Sequence, residues 1–113
     1  SDLYVQLIYS LSHGLPVQNI EILSENCIKK FNGEIDAVNR ETFITQLKSV
    51  YNAMGSWSFD IVEVIYSANT IVFQVRIDLQ GQHFISTVIL RLNADYQITE
   101  INEVLTELDT CES

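Results

Sequence analysis

The C-terminal half of the chain is dominated by four successive segments with the sequence pattern of β-strands. Their connections are short and polar, at residues 67–70, 80–82 and 93–95. Connections of this length join antiparallel neighbours, whereas a parallel crossover needs a dozen or more residues. The pattern therefore predicts an antiparallel meander with four strands: Trp57 to Tyr66, Ile71 to Leu79, His83 to Leu92 and Tyr96 to Leu105.

The first half of the chain is predicted to be mainly helical. Ser1 and Asp2 resemble an N-cap, and apolar residues then recur at helical spacing from Leu3 to Leu11 before Gly14. A second, short helix is predicted from Leu15 and Pro16 to Leu23, ending near residues 24–26. A third helix opens at Asn39 and carries an apolar stripe up to Gly55: Phe43, Ile44, Leu47, Val50, Tyr51 and Met54.

Between the second and third helices we predict one short strand, Cys27 to Phe31, followed by a turn at Asn32 and Gly33 and an irregular stretch from Glu34 to Asn39. The expected fold class is α+β. Three N-terminal helices would pack on the concave face of a strongly curved, mostly antiparallel sheet, forming an α+β cone or barrel.

Alternation along the strands separates an inner from an outer sheet face. In Ile71 to Leu79 every odd position is apolar, so that set should face inward. In His83 to Leu92 the even positions are the more apolar set, yet Ile85, Thr87 and Ile89 on the other face are not strongly polar. Two partly apolar faces imply that the outer face is also covered, and we predict a homodimer through it.

Size and charge limit the classes of function. A chain of 113 residues predicts one domain spanning 1–113. The net charge of −9 argues against nucleic acid and anionic membranes as partners, because both need clustered basic side chains. There is no run of about twenty apolar residues of the kind that a transmembrane helix requires.

The cysteines and glycines indicate no metal and no cofactor. Cys27 and Cys111 lack a second Cys or His at metal-ligand spacing, and the four glycines are isolated rather than grouped in a phosphate-binding loop. The presence of only two cysteines favours a reducing, cytoplasmic setting, with a Cys27–Cys111 disulfide as the alternative. The chain starts with Ser rather than Met, and a removed signal peptide would leave no trace.

Four short segments occur in a characteristic order: Ser24 to Cys27, Phe31 to Gly33, Phe73 to Gly81, and Arg91 to Ile101. In this order and spacing they resemble the nuclear-transport-factor-2-like superfamily, in its ketosteroid isomerase and SnoaL-like branch, over essentially the whole chain. The resemblance implies a cone-shaped α+β fold with a pocket.

The same resemblance tests one known chemistry. Ketosteroid isomerases use a carboxylate base, with a Tyr and a protonated Asp that stabilise the oxyanion. The base position falls on Phe31, the Tyr position on Leu7 and the Asp position on Val88, and all three residues are apolar. Tyr4, Tyr9 and Lys30 lie close to these positions. The resemblance therefore implies the fold without the catalytic residues of the isomerases. On this basis a non-enzymatic function is favoured over an enzymatic one.

Two carboxylates are candidates for acid–base chemistry. When the chain is aligned with the family pattern, Glu103 falls on the inner face of the last strand, together with Thr99 and Ile101. In the same alignment, Asp60 falls on the inner face of the first long strand, together with Ser58 and Val62. In the opposite phase, Trp57, Phe59 and Ile61 would point inward and Asp60 outward. A carboxylate in an apolar cavity is suited to proton transfer, and a solvated position is the alternative for both residues.

The histidines do not suggest a catalytic site. His13 lies beside Gly14, where helix capping explains it, and His83 is predicted to be an exposed strand start. The leading hypothesis is a domain with a mostly apolar pocket for a small hydrophobic molecule. The alternatives are a SnoaL-like isomerase, cyclase or dehydratase, and a protein-interaction module. The predicted ligand-binding residues are Tyr51, Phe31, Phe73, Val75, Val88, Ile101 and Glu103.

Overall fold

The computed structural model describes Gln6 and residues 20–54 and 57–108 of the chain. A 3-10 turn, Ile20–Ile22, leads directly into the first strand. One α-helix and six strands follow in the order β1 Leu23–Phe31, β2 Glu34–Ala37, α1 Arg40–Met54, β3 Trp57–Ser67, β4 Thr70–Leu79, β5 Gln82–Leu92 and β6 Ile98–Glu107.

The six strands form one sheet in the spatial order β2-β1-β6-β5-β4-β3. Strands β3 to β6 make the predicted antiparallel meander, and β1 pairs with β2 as an antiparallel hairpin. Strand β1 is parallel to β6, which closes the N-terminal hairpin onto the last strand of the meander. The α+β class and the mostly antiparallel sheet are thus confirmed.

Within residues 20–54 and 57–108 there is one α-helix, whereas the sequence predicted three N-terminal helices. The first predicted helix lies outside the described residues apart from Gln6, which is helical. The second is wrong where it can be checked, because Ile20–Ile22 form a 3-10 turn and Leu23 begins β1. Leu23 is fully buried and pairs with Ile98 of β6, so its apolar side chain serves the sheet rather than a helix face.

Helix α1 confirms the third prediction. Asn39 caps it, since its Oδ1 accepts hydrogen bonds from the Thr42 backbone N–H at 2.8 Å and from the Thr42 hydroxyl at 2.7 Å. Phe43 and Ile44 are buried, and Leu47 packs against the same core. The stripe therefore lies on the sheet as expected, while the side chains of Val50, Tyr51 and Met54 lie outside the described residues.

The N-terminal hairpin differs from its prediction in two ways. Strand β1 begins at Leu23 rather than Cys27, and the stretch predicted to be irregular contains the four-residue strand β2. The turn itself is as predicted, with φ values of 50° at Asn32 and 87° at Gly33. Both values lie in the left-handed region, which Asn and Gly tolerate best.

The helix and the sheet share one hydrophobic core, which defines the inner face of the sheet as the face toward α1. Strands β4 and β5 contribute alternate side chains to it, and β1 and β6 contribute side chains from both sides of the irregularities in their pairing. The buried apolar set is Leu23, Cys27, Ala37, Phe43, Ile44, Ile71, Phe73, Val75, Val88, Leu90, Ile98 and Ile101. Among the described residues, no helix has the length and hydropathy needed to cross a membrane.

Candidate functional site

Three polar side chains meet on the inner face of the sheet, and we call them the inner-face polar cluster: Lys29, Ser86 and Glu103. The Lys29 ammonium lies 3.1 Å from Glu103 Oε1, and the Ser86 hydroxyl donates to Glu103 Oε2 at 2.5 Å. The side chain of Lys29 is 6% exposed and that of Glu103 20% exposed. A charged pair with a hydroxyl thus lies within an otherwise apolar face.

The strand order explains why these residues meet. Strand β6, which carries Glu103, lies between β1 and β5. Glu103 is the direct neighbour of Phe31 on β1 and of Val88 on β5. Lys29 and Ser86 each lie two positions from those neighbours, and alternation therefore puts them on the same face as Glu103.

Two aromatic rings flank the Lys29 ammonium. Its Nζ lies 5.9 Å from the ring centroid of Phe31 and 5.4 Å from that of Phe43 on α1. Both distances fall within the range in which a cation is attracted to an aromatic face. The rings and Glu103 together compensate the ammonium for the water that it loses on burial.

Asn32 binds the backbone of β6 immediately after the Glu103 side chain. Its backbone N–H donates to the Glu103 carbonyl oxygen at 2.8 Å, and its Oδ1 accepts from the Leu105 N–H at 3.0 Å. The left-handed backbone of Asn32 makes both contacts available at the end of β1. Asn32 is therefore a positioning residue for Glu103.

We expect Asn32→Ala to destabilise the protein by about 2 kcal/mol and Asn32→Gly by about 1 kcal/mol. Both variants lose the side-chain hydrogen bond to Leu105, but only alanine also strains the left-handed backbone. Urea unfolding measures both free energies. Equal stabilities for the two variants would contradict the assigned backbone role.

Comparison with known proteins identifies the fold. No protein-family model matches the sequence, and no curated protein matches it. Among solved structures, a nuclear-transport-factor-2-like protein of unknown function from Mesorhizobium loti superposes with a TM-score of 0.75 at 14% identity, covering 93% of this chain and 88% of that one. The chain has a nuclear-transport-factor-2-like fold.

Two further solved structures share this fold. A steroid delta-isomerase from Pseudomonas aeruginosa superposes with a TM-score of 0.72 at 9% identity, over 93% of this chain and 77% of that one. A de novo designed protein with a curved β-sheet reaches a TM-score of 0.76 at 12% identity, over 93% and 83%. At these identities the shared property is the nuclear-transport-factor-2-like fold itself.

The fold distributes the predicted ligand-binding residues between two environments. Phe73, Val75, Val88 and Ile101 are buried in the core. Phe31 is half-buried, and Glu103 belongs to the inner-face polar cluster. The side chain of Tyr51 lies outside the described residues, as do Leu7 and His13. The ligand-binding roles stay predictions.

The inward placement of Asp60 is wrong. Asp60 is exposed and pairs with Arg76, whose side chain lies on the outer face. The register shifts between Ile61 and Glu63, so that Val62 is an extra residue in the ladder. Such a bulge reverses the alternation of inward and outward side chains along the strand. The even-numbered residues that face inward after Val62 therefore do not continue the inward set before it. The alternative phase, with Asp60 outward, is the observed one.

His83 is half-buried rather than an exposed strand start. It faces Asp78 across β4 and β5, and its Nδ1 hydrogen-bonds the Asp78 carboxylate. Arg76 Nε lies 3.5 Å from the same carboxylate. The His83 hydrogen bond, aided by Arg76, holds the pKa of Asp78 below its usual value. This cluster belongs to the outer face, since Asp78 and Arg76 alternate with the inward residues of β4.

Cys27 is a buried free thiol beside the polar cluster. Burial raises its pKa to about 11, partly offset by the charge of Lys29. The thiol is therefore protonated and unreactive at neutral pH. Among the described residues, no group of three or more His, Cys, Asp or Glu side chains is arranged to hold a metal ion.

Sequence reasoning missed Lys29 and Ser86. Lys29 alternates with Cys27 and Phe31 in a strand that was predicted to be apolar. This alternation could have predicted that Lys29 faces inward with them. Ser86 was already in the inward set of its strand. The parallel pairing of β1 with β6 could not be predicted, because nothing in the local sequence pattern of either strand specifies a parallel partner.

Proposed function

We propose that the chain is a single domain that binds a small, mostly apolar molecule on the inner face of the sheet, with Glu103 as its main polar contact. The observation that carries this proposal is the Lys29–Glu103 pair at 3.1 Å, in which Lys29 is buried and Glu103 is partly exposed. Ligand sites in proteins are mostly apolar surfaces with a few placed polar groups, and the inner face has this composition.

Stability alone does not account for the pair. Removing two charges from water costs several kcal/mol for each ion, and packed apolar residues of similar volume usually serve a core as well or better. The neighbours of Glu103 are apolar: Phe31 and Val88 are adjacent in the sheet, and Ile101 lies two residues away on β6. A charged pair kept in such surroundings supports a binding role.

The accessible contacts are the partly buried ones. Phe31 and Glu103 retain exposure, so a ligand can reach them, whereas Phe73, Val75, Val88 and Ile101 support them from the core. We retain Tyr51 as a contact because α1 lies against the inner face. We also retain the cytoplasm as the compartment, since Cys27 is a free thiol.

The test uses native mass spectrometry of the purified protein and ligand-observed NMR with naphthol as an apolar probe. We expect a bound small molecule or probe in the wild type, and at least a tenfold weaker complex for Glu103→Gln, because a charged hydrogen-bond acceptor is lost. Glu100→Gln is the matched control, since Glu100 pairs with the outer-face residue Arg91. Equal binding by both variants, or no binding by the wild type, would overturn the proposal.

A second candidate function is acid–base catalysis by Glu103. It lies between Phe31 and Val88, the two positions at which the ketosteroid isomerase resemblance expects carboxylates. A carboxylate there could remove a proton next to a carbonyl, while the Lys29 ammonium stabilises the resulting enolate oxygen. A β,γ-unsaturated ketone tests this, and Glu103→Gln must then abolish the isomerisation that Glu100→Gln leaves intact.

We further propose a homodimer through the outer face. Ile65, Val72 and Ile89 are cross-strand neighbours on that face, and Val104 lies on the same side of β6. Ile65 is 54% and Val104 52% exposed, so no described element covers these positions. Apolar patches of this kind mark interfaces. Light scattering should give the molar mass of a dimer. The mass of a monomer would contradict the homodimer and would favour a different protein as the partner of this face.

A further inference from the structure

Lys29 combines burial with an adjacent carboxylate, an arrangement that can make a lysine amine react as a nucleophile. Its side chain is 6% exposed, and its Nζ lies 3.1 Å from Glu103 Oε1. Only a neutral amine attacks a carbonyl carbon, because the ammonium has no free electron pair. The reactivity of Lys29 therefore depends on a nearby group that can take its proton.

Glu103 can accept that proton without a change in the net charge of the site. Transfer from the Lys29 ammonium to the Glu103 carboxylate converts an ion pair into a neutral amine and a neutral acid. The neutral pair loses the attraction between the charges, but it also avoids the desolvation of two ions. The Ser86 hydroxyl occupies the other carboxylate oxygen, Oε2, which leaves Oε1 beside the amine.

We propose that Lys29 forms a protonated Schiff base with an uncharged aldehyde. Nζ attacks the carbonyl carbon, and Glu103 carries two of the three ammonium hydrogens, one after the other, to the carbonyl oxygen, which leaves as water. A C=N bond replaces the C=O bond, and nothing is oxidised or reduced. The iminium keeps the positive charge of the ammonium, so Glu103 becomes its counter-ion.

The surroundings of Nζ favour this product. The rings of Phe31 and Phe43 lie 5.9 and 5.4 Å from it, and aromatic faces attract a cation such as the iminium. Phe31 and Glu103 are partly exposed and give an aldehyde access to Nζ, whereas Phe43 is buried. The next residue, Lys30, lies on the outer face, where it pairs with Asn102 of β6.

Reductive trapping in the wild type tests the proposal. The protein is incubated with cinnamaldehyde, sodium borohydride converts any Schiff base to a secondary amine, and peptide mapping by mass spectrometry locates the added group. We expect at least about tenfold more label on Lys29 than on Lys30 or on the exposed Lys48. Lys29→Arg keeps the positive charge without a nucleophilic amine and should lose this label, whereas Lys30→Arg should keep it.

The absorbance of the adduct before reduction tests the role of Glu103. A protonated Schiff base of a conjugated aldehyde absorbs at a longer wavelength than the neutral imine. The wild type should show the longer wavelength and Glu103→Gln the shorter one, because the iminium loses its counter-ion. Glu100→Gln is the matched control and should absorb as the wild type does, since Glu100 pairs with Arg91 on the outer face.

Labelling in order of exposure, with Lys48 and Lys30 ahead of Lys29, would overturn the inference. Identical spectra for Glu103→Gln and Glu100→Gln would do the same. The inference rests on the proposed function, because the aldehyde would occupy the same face of the sheet. Binding of naphthol without label on Lys29 would overturn the inference alone, whereas a wild type that neither binds naphthol nor traps cinnamaldehyde would overturn both.

Discussion

Replacing Glu103 with leucine is expected to destabilise the protein by about 3–5 kcal/mol, the cost of leaving a buried charge without its partner. The Lys29 side chain is only 6% exposed, so water compensates little for the lost carboxylate. Lys29→Met should cost less, about 1–3 kcal/mol, because the Glu103 carboxylate is more exposed and keeps its hydrogen bond from Ser86.

The double variant separates pairing from packing. With both charges removed, Lys29→Met/Glu103→Leu should return to within about 1 kcal/mol of wild type, since neither residue then leaves an unpaired charge. Urea unfolding of the four proteins gives the coupling energy.

Arg91→Met with Glu100→Leu is the matched control for that cycle. This pair bridges the outer face at 3.6 Å with more exposed side chains, and its coupling should not exceed about 1 kcal/mol. A coupling for Lys29 and Glu103 as small as this would show that the buried pair is no more than a surface ion pair.

The elements that local pattern specifies were predicted well. Strands β3 to β6 lie within two residues of their predicted bounds, because alternation and short polar turns act between neighbours in sequence. Helix α1 was predicted for the same reason, with Asn39 as its cap and Phe43 in its apolar stripe. Both signals depend on residues only a few positions apart.

The errors arise where the structure depends on long-range strand pairing, or where a single extra residue in a strand changes the face on which a side chain lies. Strand β2 has four residues, three of them exposed, so it has no alternation to detect. The bulge at Val62 reversed the face of Asp60. At Thr99, another unpaired residue, the ladder shifts so that Ile98 and Ile101 are both buried. Glu103 was placed inward, but its partner Lys29 required knowledge of the parallel pairing with β1.

The proposed dimer leads to the second large effect: Ile89→Glu should convert the protein to a folded monomer. Ile89 lies between Val72 and Asn102 in the outer-face ladder, near the centre of the sheet. A two-fold interface places the substituted residue in both subunits, so two carboxylates would be buried near each other. Like charges in an interface cost several kcal/mol, which corresponds to at least about a hundredfold rise in the dimer dissociation constant.

Sedimentation velocity across a range of concentrations measures that constant, and far-ultraviolet circular dichroism establishes that the monomer stays folded. Val38→Glu is the control, because Val38 is 61% exposed in the connection between β2 and α1 and lies off the outer face of the meander. It makes a comparable apolar-to-acidic change and should leave the dimer intact. Equal dissociation by both variants would attribute the effect to added net charge on a chain that already carries −9, and a dimer that tolerates Ile89→Glu would place the interface elsewhere.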